Sequence, residues 1–171
     1  MKVINLFGAP GAGKSTTAAG LFFKMKTDTH IKSVELITEF AKELVYAGRF
    51  KELSSNQLYV TSKQYNRMER LRGQVDLIIT DSPIILGAIY APKDYYSSFI
   101  PLLKELHYSF NNFNIFINRV KEYKEYGRNH SKKESDELYI NIKNFLDNNN
   151  IKYHEVNGDE TAPDVIKNLL L

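Results

Sequence analysis

Short apolar runs alternate along the chain with longer stretches in which apolar residues recur every three or four positions. The runs are Lys2–Phe7, Ser33–Thr38, Val75–Thr80, Asn114–Asn118 and Ile151–Val156. Leu77-Ile78-Ile79 is the most continuous of them, as expected of a strand covered on both faces. Between the runs, Lys14–Met25 carries Ala18, Leu21, Phe22 and Met25 at helical spacing, and Phe40–Ala47 reads as a helix with Gly48 at its stop. Ser54 or Ser55 can cap a long helix to Arg72, closed by Gly73. Pro83 to Tyr108 reads as helix broken around Pro92 and Pro101, a further helix runs from about Ser131 to Asn148, and Pro163 opens a last one. Strand alternating with helix predicts an α/β domain with a largely parallel sheet.

Length and composition narrow the picture. At 171 residues, 43% hydrophobic and 25% charged, the chain suits one compact domain, or one core with a small insertion. The absence of Cys excludes disulfides, thiolate nucleophiles and cysteine-ligated metal sites. His30, His107, His130 and His154 form no metal-binding pair at helical spacing. No apolar run reaches membrane-spanning length, and MKVINLF meets Gly and Pro too early for a secretory segment. The expectation is a soluble, cytoplasmic protein without a membrane partner.

The net charge of +3 is too small to announce a nucleic-acid binder, but it is unevenly spread. Arg119, Lys121, Lys124, Arg128, Lys132 and Lys133 face only Glu122 and Glu125 over the stretch 119–133. A polyanion, either a phosphate-rich small ligand or DNA, fits that stretch.

The sharpest chemical signal is Gly8-Ala9-Pro10-Gly11-Ala12-Gly13-Lys14-Ser15, which matches GxxxxGK[ST] at every fixed position, with a strand before and an amphipathic helix after. Glycines let successive backbone N–H groups turn around phosphate oxygens, and the helix start adds its positive dipole end. Lys14 can reach the β- and γ-phosphates of a nucleotide, Ser15 can give a hydroxyl to Mg²⁺, and Thr16 lies nearest the α-phosphate. ATP with Mg²⁺ is the cofactor pair this motif implies. Asp81 follows the strand Val75–Thr80 at the sheet edge where ligands collect. There it can hold the Mg²⁺ water shell or accept a proton from an attacking hydroxyl.

GAPGAGKST, Thr38-Glu39-Phe40-Ala41-Lys42, Thr80-Asp81-Ser82-Pro83, Arg119, Arg128 and Asn157-Gly158-Asp159-Glu160-Thr161 together resemble the small P-loop kinases of nucleosides and nucleoside monophosphates. The resemblance is nearest to the nicotinamide-riboside-kinase-like ATPase group. It implies a three-layer P-loop NTPase with a five-stranded parallel sheet flanked by helices. It further implies a substrate-binding helical region at about 40–72 and a small LID insertion at about 119–133.

By the same resemblance, Glu39 orients or deprotonates the acceptor hydroxyl, in competition with Asp81. Arg119 stacks on adenine or touches phosphate, and Arg128 closes onto the transferring phosphoryl group. Gln64 and Arg67, on the helix that also carries Gln57, border the acceptor, and Asp159 belongs to a loop that holds adenine. Tyr123 and Tyr126 either stack on a base or pack the LID. The chain departs from the pattern in having Asp81-Ser82-Pro83 where many deoxynucleoside kinases carry a Glu–Arg–Ser signature, and in lacking an arginine run in the LID.

The expected activity is ATP-dependent transfer of a phosphoryl group to a hydroxyl or phosphate of a small nucleoside- or nucleotide-like acceptor. Two alternatives stand beside it. One is a polynucleotide kinase acting on a DNA 5′ end or a hydroxymethylated base; the other is a nucleotide-switch ATPase module. The sequence leaves the oligomeric state open.

Overall fold

The structure, a computed structural model, describes residues 1–31, 33–124 and 130–170. Five parallel strands form one sheet in the order β2-β3-β1-β4-β5. They are β1 (Lys2–Phe7), β2 (Val34–Ile37), β3 (Leu77–Thr80), β4 (Asn111–Asn118) and β5 (His154–Asn157). Eight α-helices are described: α1 (Lys14–Lys26), α2 (Ala41–Tyr46), α3 (Phe50–Ser55), α4 (Gln57–Glu69), α5 (Gly87–Tyr90), α6 (Phe99–Tyr108), α7 (Lys132–Asn148) and α8 (Ala162–Leu170). A 3₁₀ turn, Ile84–Leu86, leads into α5.

The alternation of side chains along β1 divides the core in two. Val3 and Phe7 join Ile78, Phe116 and the buried faces of α4, α6 and α7 through Met68, Leu103 and Ile142. Ile4 and Leu6 join Ile79, Ile115 and Ile117 on the other face, packed on Leu21 and Met25 of α1 and Ile166 of α8. This three-layer arrangement is the one expected of an apolar parallel sheet, since neither face can be left wet.

Several bounds shift from the sequence reading, and four of the differences have a readable cause. The helix read as starting at Ser54 or Ser55 is two helices, α3 and α4, with the break at Asn56. Its side chain accepts a hydrogen bond from Tyr59 N, so the cap is Asn56. Pro101 does not interrupt α6; it sits in the first turn, where its missing N–H costs nothing, while the break falls at Pro92. Strand β4 begins at Asn111 rather than Asn114, because Asn112 and Asn114 find partners inside the sheet. Strand β5 begins at His154, since Ile151 instead turns back to close α7, with Ile151 N bonded to Leu146 O at 2.9 Å and Asn150 at φ +54°. The reading of α7 from Ser131 is met by a complete capping box of Ser131 and Glu134.

Candidate active site

Strand order brings the chemistry together. β2, β3 and β1 are neighbours, and each ends on the same edge of the sheet. The loop after β1 is the Gly8–Ser15 cradle; Glu39 lies two residues past β2, and Asp81 directly follows β3. Three segments far apart in sequence therefore open into one cleft of about 940 Å³. Pro10, Gly11, Gly13, Lys14, Ser15 and Thr16 line it from one side, while Gly8, Ala9 and Ala12 form the back of the loop, with Ala9 and Ala12 buried.

The local geometry of the cradle follows from its residue types. Gly13 caps α1 at φ +98°, a conformation that a side chain would strain. Lys14 Nζ donates to Gly8 O at 2.7 Å and Ala9 O at 3.2 Å, so the ammonium lies over its own loop. Ser15 Oγ donates to Asp81 Oδ2 at 2.5 Å, joining the starts of α1 and the β3 loop.

Asp81 is buried, and its Oδ1 is the buried side-chain oxygen that lacks a partner among the described residues. A carboxylate oxygen withdrawn from water without a donor is costly unless a cation or water occupies the site. The pair Ser15 and Asp81, hydroxyl beside carboxylate oxygen, fits the hard oxygen donors that Mg²⁺ takes with substrate phosphates and waters. No cluster of three or more His, Asp or Glu side chains among the described residues could hold a metal by itself.

Glu39 is half-buried and lines the cleft. Loss of solvent pushes its pKa up, the Asp81 charge adds to this, and Lys14 and Lys42 oppose it. Tyr90, at the end of α5, lines the same wall with its ring partly exposed; the protein packed around its phenol first, and the Glu39 charge second, raise the pKa of that group.

Gln64 has both ends of its amide occupied, with Oε1 accepting from Phe40 N at 3.0 Å and Nε2 donating to Thr80 Oγ1 at 3.3 Å. It lines the cleft and, by tying the segment after β2 to the end of β3, sets where Glu39 stands relative to Asp81. Arg67 does not line the cleft. It donates to Thr38 O at 3.2 Å, pairs with Glu43 and lies 5.1 Å from the Phe40 ring.

Arg119 is also outside the cleft lining. It pairs with Asp136, donates to Ser135 Oγ at 2.8 Å and stacks over Tyr123 at 5.2 Å. Tyr123 further donates to His130 O, a packing role. Asp159 holds a turn, its Oδ1 accepting from Thr161 N at 2.9 Å and Thr161 Oγ1 at 2.6 Å; these bonds lower its pKa. Beside it, Gly158 is pressed on the cradle, for a Cβ there would fall 2.0 Å from Ala12 O. Arg128 and Tyr126 lie outside the described residues. Of the basic stretch around them, Lys132 shares Asp136 with Arg119, and Lys133 approaches Glu137 at 4.0 Å, so part of its charge is met within the protein.

Sequence reasoning missed Tyr46, Phe50, Thr61 and Tyr90, all of which line the cleft. They come from α2, α3, α4 and α5, and no spacing in the chain links them; only the packing of those helices does. It also missed Ser135, whose position one turn into α7 carries no motif.

A family model described as an AAA domain matches residues 3–162. No curated protein matches the chain. Among solved structures, the deoxyadenosine kinase of M. mycoides with bound dATP has a TM-score of 0.65 at 19% identity, with 99% of each chain covered. The thymidylate kinase of Ehrlichia chaffeensis has a TM-score of 0.58 at 16% identity, covering 99% of this chain and 98% of that one. A NadR protein in complex with NR has a TM-score of 0.61 at 17% identity; it covers 98% of this chain, which spans 51% of that protein. At these identities the likeness establishes the fold, which is that of the small P-loop nucleoside and nucleotide kinases. Among the described residues no helix is long and apolar enough to cross a membrane.

Proposed function

The chain belongs to the AAA domain family, and from that premise we propose that it is an ATP-dependent phosphotransferase acting on a small nucleoside- or nucleotide-like acceptor. One observation carries the reading: a single cleft runs from the phosphate cradle, past Glu39 and Asp81, into a chamber walled by α2 to α5. A donor triphosphate and an acceptor can thus share one enclosure.

The residues divide the work. The cradle from Gly8 to Ser15, with Thr16, binds the phosphate tail, and Lys14 meets charge on its terminal groups. Ser15 and Asp81 would hold Mg²⁺, which when bound supplies neutralising charge to the phosphate oxygens. Glu39 orients the acceptor hydroxyl and takes its proton as the oxygen attacks phosphorus, a task suited to a carboxylate whose pKa burial raises above its ordinary value. Gln64 keeps Glu39 in register with the cradle through Phe40 N. The helices within 40–72 supply the acceptor side. The stretch 119–133 serves as the LID, with Arg119 bracing its base and Asp159 shaping the loop that flanks the cradle.

The test incubates purified protein with ATP, Mg²⁺ and a panel of nucleosides, nucleotides, nicotinamide riboside and hydroxymethylated DNA, with products read by mass. Phosphorylation of a small acceptor, with ATP turnover negligible in its absence, is the expected result, because a kinase must exclude water. Brisk ATP hydrolysis with no acceptor modified would instead favour the nucleotide-switch alternative.

A further inference from the structure

The two arms of the cleft are lined differently. Toward the cradle stand a cation and loop backbone; away from it, the walls of α2 to α5 present Tyr46, Phe50 and Tyr90 with the neutral polar groups of Gln57 and Thr61. The three rings line a concave site yet remain 81%, 53% and 37% exposed, respectively. Large rings open to solvent inside a cleft are contact surface for a flat partner. Gln57 commits Nε2 to Leu53 O at 2.6 Å, so Oε1 is the atom it can offer a ligand as an acceptor. A Cβ at Gly87 would fall 2.6 Å from Thr61 Oγ1, so these two residues close the floor with no room to spare.

Charge separates two kinds of acceptor. Among the described residues lining this arm, the charged side chains are Glu39 and Lys42. Among the described residues, the arginines near this arm are engaged elsewhere: Arg67 on Glu43 and Thr38 O, Arg49 on Glu52 at 3.0 Å, and neither lines the cleft. A phosphate monoester brings close to two negative charges at neutral pH and is usually gripped by the planar fork of an arginine. Among the described residues of this arm it would meet Glu39, with Asp81 nearby, and Lys42.

We infer that the acceptor arm takes an uncharged alcohol carrying a flat heteroaromatic ring, a nucleoside, in preference to the corresponding phosphate monoester; this rests on the phosphotransferase reading above. In the transfer, a bond forms between the nucleoside hydroxyl oxygen and the γ-phosphorus of ATP. The bond from that phosphorus to the β,γ-bridging oxygen breaks, ADP leaves with the electron pair, and the hydroxyl proton passes to Glu39. The rings of Tyr46, Phe50 and Tyr90 grip the base.

The experiment measures kcat/KM with Mg·ATP for the common ribo- and 2′-deoxyribonucleosides and for the 5′-monophosphate of each. At least one nucleoside is expected to exceed its own monophosphate by about a hundredfold or more. A monophosphate that matches or beats its nucleoside would overturn the inference while leaving phosphotransfer standing. Failure of every compound in both sets would overturn the phosphotransferase reading along with it. Tyr46→Ala, at an exposed ring that the fold does not need, gives an independent readout. The KM for the preferred nucleoside is expected to rise about tenfold with that for ATP unchanged, as loss of one base–aromatic stack predicts. An unchanged nucleoside KM would remove the ring from the acceptor site.

Discussion

Ser135 Oγ donates a hydrogen bond of 2.7 Å to Pro10 O, tying the first turn of α7 to the crown of the phosphate cradle. The hydroxyl is fully buried and accepts from Arg119 Nη1 in turn, and Arg119 is held by Asp136. The end of β4, the start of α7 and the cradle are therefore one hydrogen-bonded unit. Ser135→Ala strands Pro10 O and removes a partner of Arg119. Loss of a bond of this kind, about 1 kcal/mol net, is expected to weaken Mg·ATP binding by roughly three- to tenfold in calorimetry. An unaltered dissociation constant would mean that α7 does not set the loop.

Glu39 and Asp81 share the cleft, and substitution separates their roles. Glu39→Gln is expected to keep ATP affinity and lose about a hundredfold or more in kcat, the usual worth of a general base. Because burial raises its pKa above the ordinary 4.5, a wild-type kcat/KM that needs the ionised form should fall on an acid limb lying above that value, and the limb should vanish in the variant. Asp81→Asn should instead make the rate depend on much higher Mg²⁺, since the orphaned Oδ1 of Asp81 and the Ser15 hydroxyl, which bonds its Oδ2, are the proposed metal ligands. A pH profile that is identical in Glu39→Gln and wild type would take the proton away from Glu39.

The cradle was legible in the chain because it needs only local spacing: fixed glycines, then Lys14 and Ser15, between a strand and a helix. The positions of Glu39 and Asp81 were legible for a related reason, as each ends an apolar run and parallel strands share an edge. The helix break at Asn56 was not, since Ser54, Ser55 and Asn56 are all competent caps and only the tertiary path selects one. The start of β4 was hidden because asparagine reads as loop until its cross-strand partners are known. Tyr46, Phe50 and Tyr90 become one wall only once four helices are packed, and Arg67, spaced like a site residue, turned out to face Glu43 and Thr38 O.

That cross-strand arrangement makes its own prediction. Asn5 Nδ2 donates to Asn112 Oδ1 at 2.8 Å and to Asn114 Oδ1 at 3.0 Å, bridging β1 and β4 within the sheet. The amide nitrogens of the two acceptors are met as well, Asn112 Nδ2 by His107 O at 2.6 Å and Asn114 Nδ2 by Lys152 O at 3.0 Å. Asn5→Leu leaves two acceptors without their donor, at about 1–3 kcal/mol each. The thermal midpoint is expected to fall by at least roughly 4 °C. Equal stability of the variant and wild type would show that water replaces Asn5 without penalty.

His107 couples the same end of the sheet to pH. It lies on the buried face of α6 at 2% exposure, and burial moves its pKa from 6.5 down to about 4. Between those values the unfolded chain takes up a proton that the folded chain refuses, so protons favour unfolding there. The contribution of His107 to stability is complete above about pH 6.5 and is lost as pH falls through 4, an interval worth about 3 kcal/mol. Urea unfolding from pH 7.5 to 4.5 should show wild type losing stability faster than His107→Gln, with the two curves converging toward the acid end after starting apart at neutrality. Parallel curves across that range would place the imidazole in contact with solvent or a proton-sharing partner instead of in the dry interior.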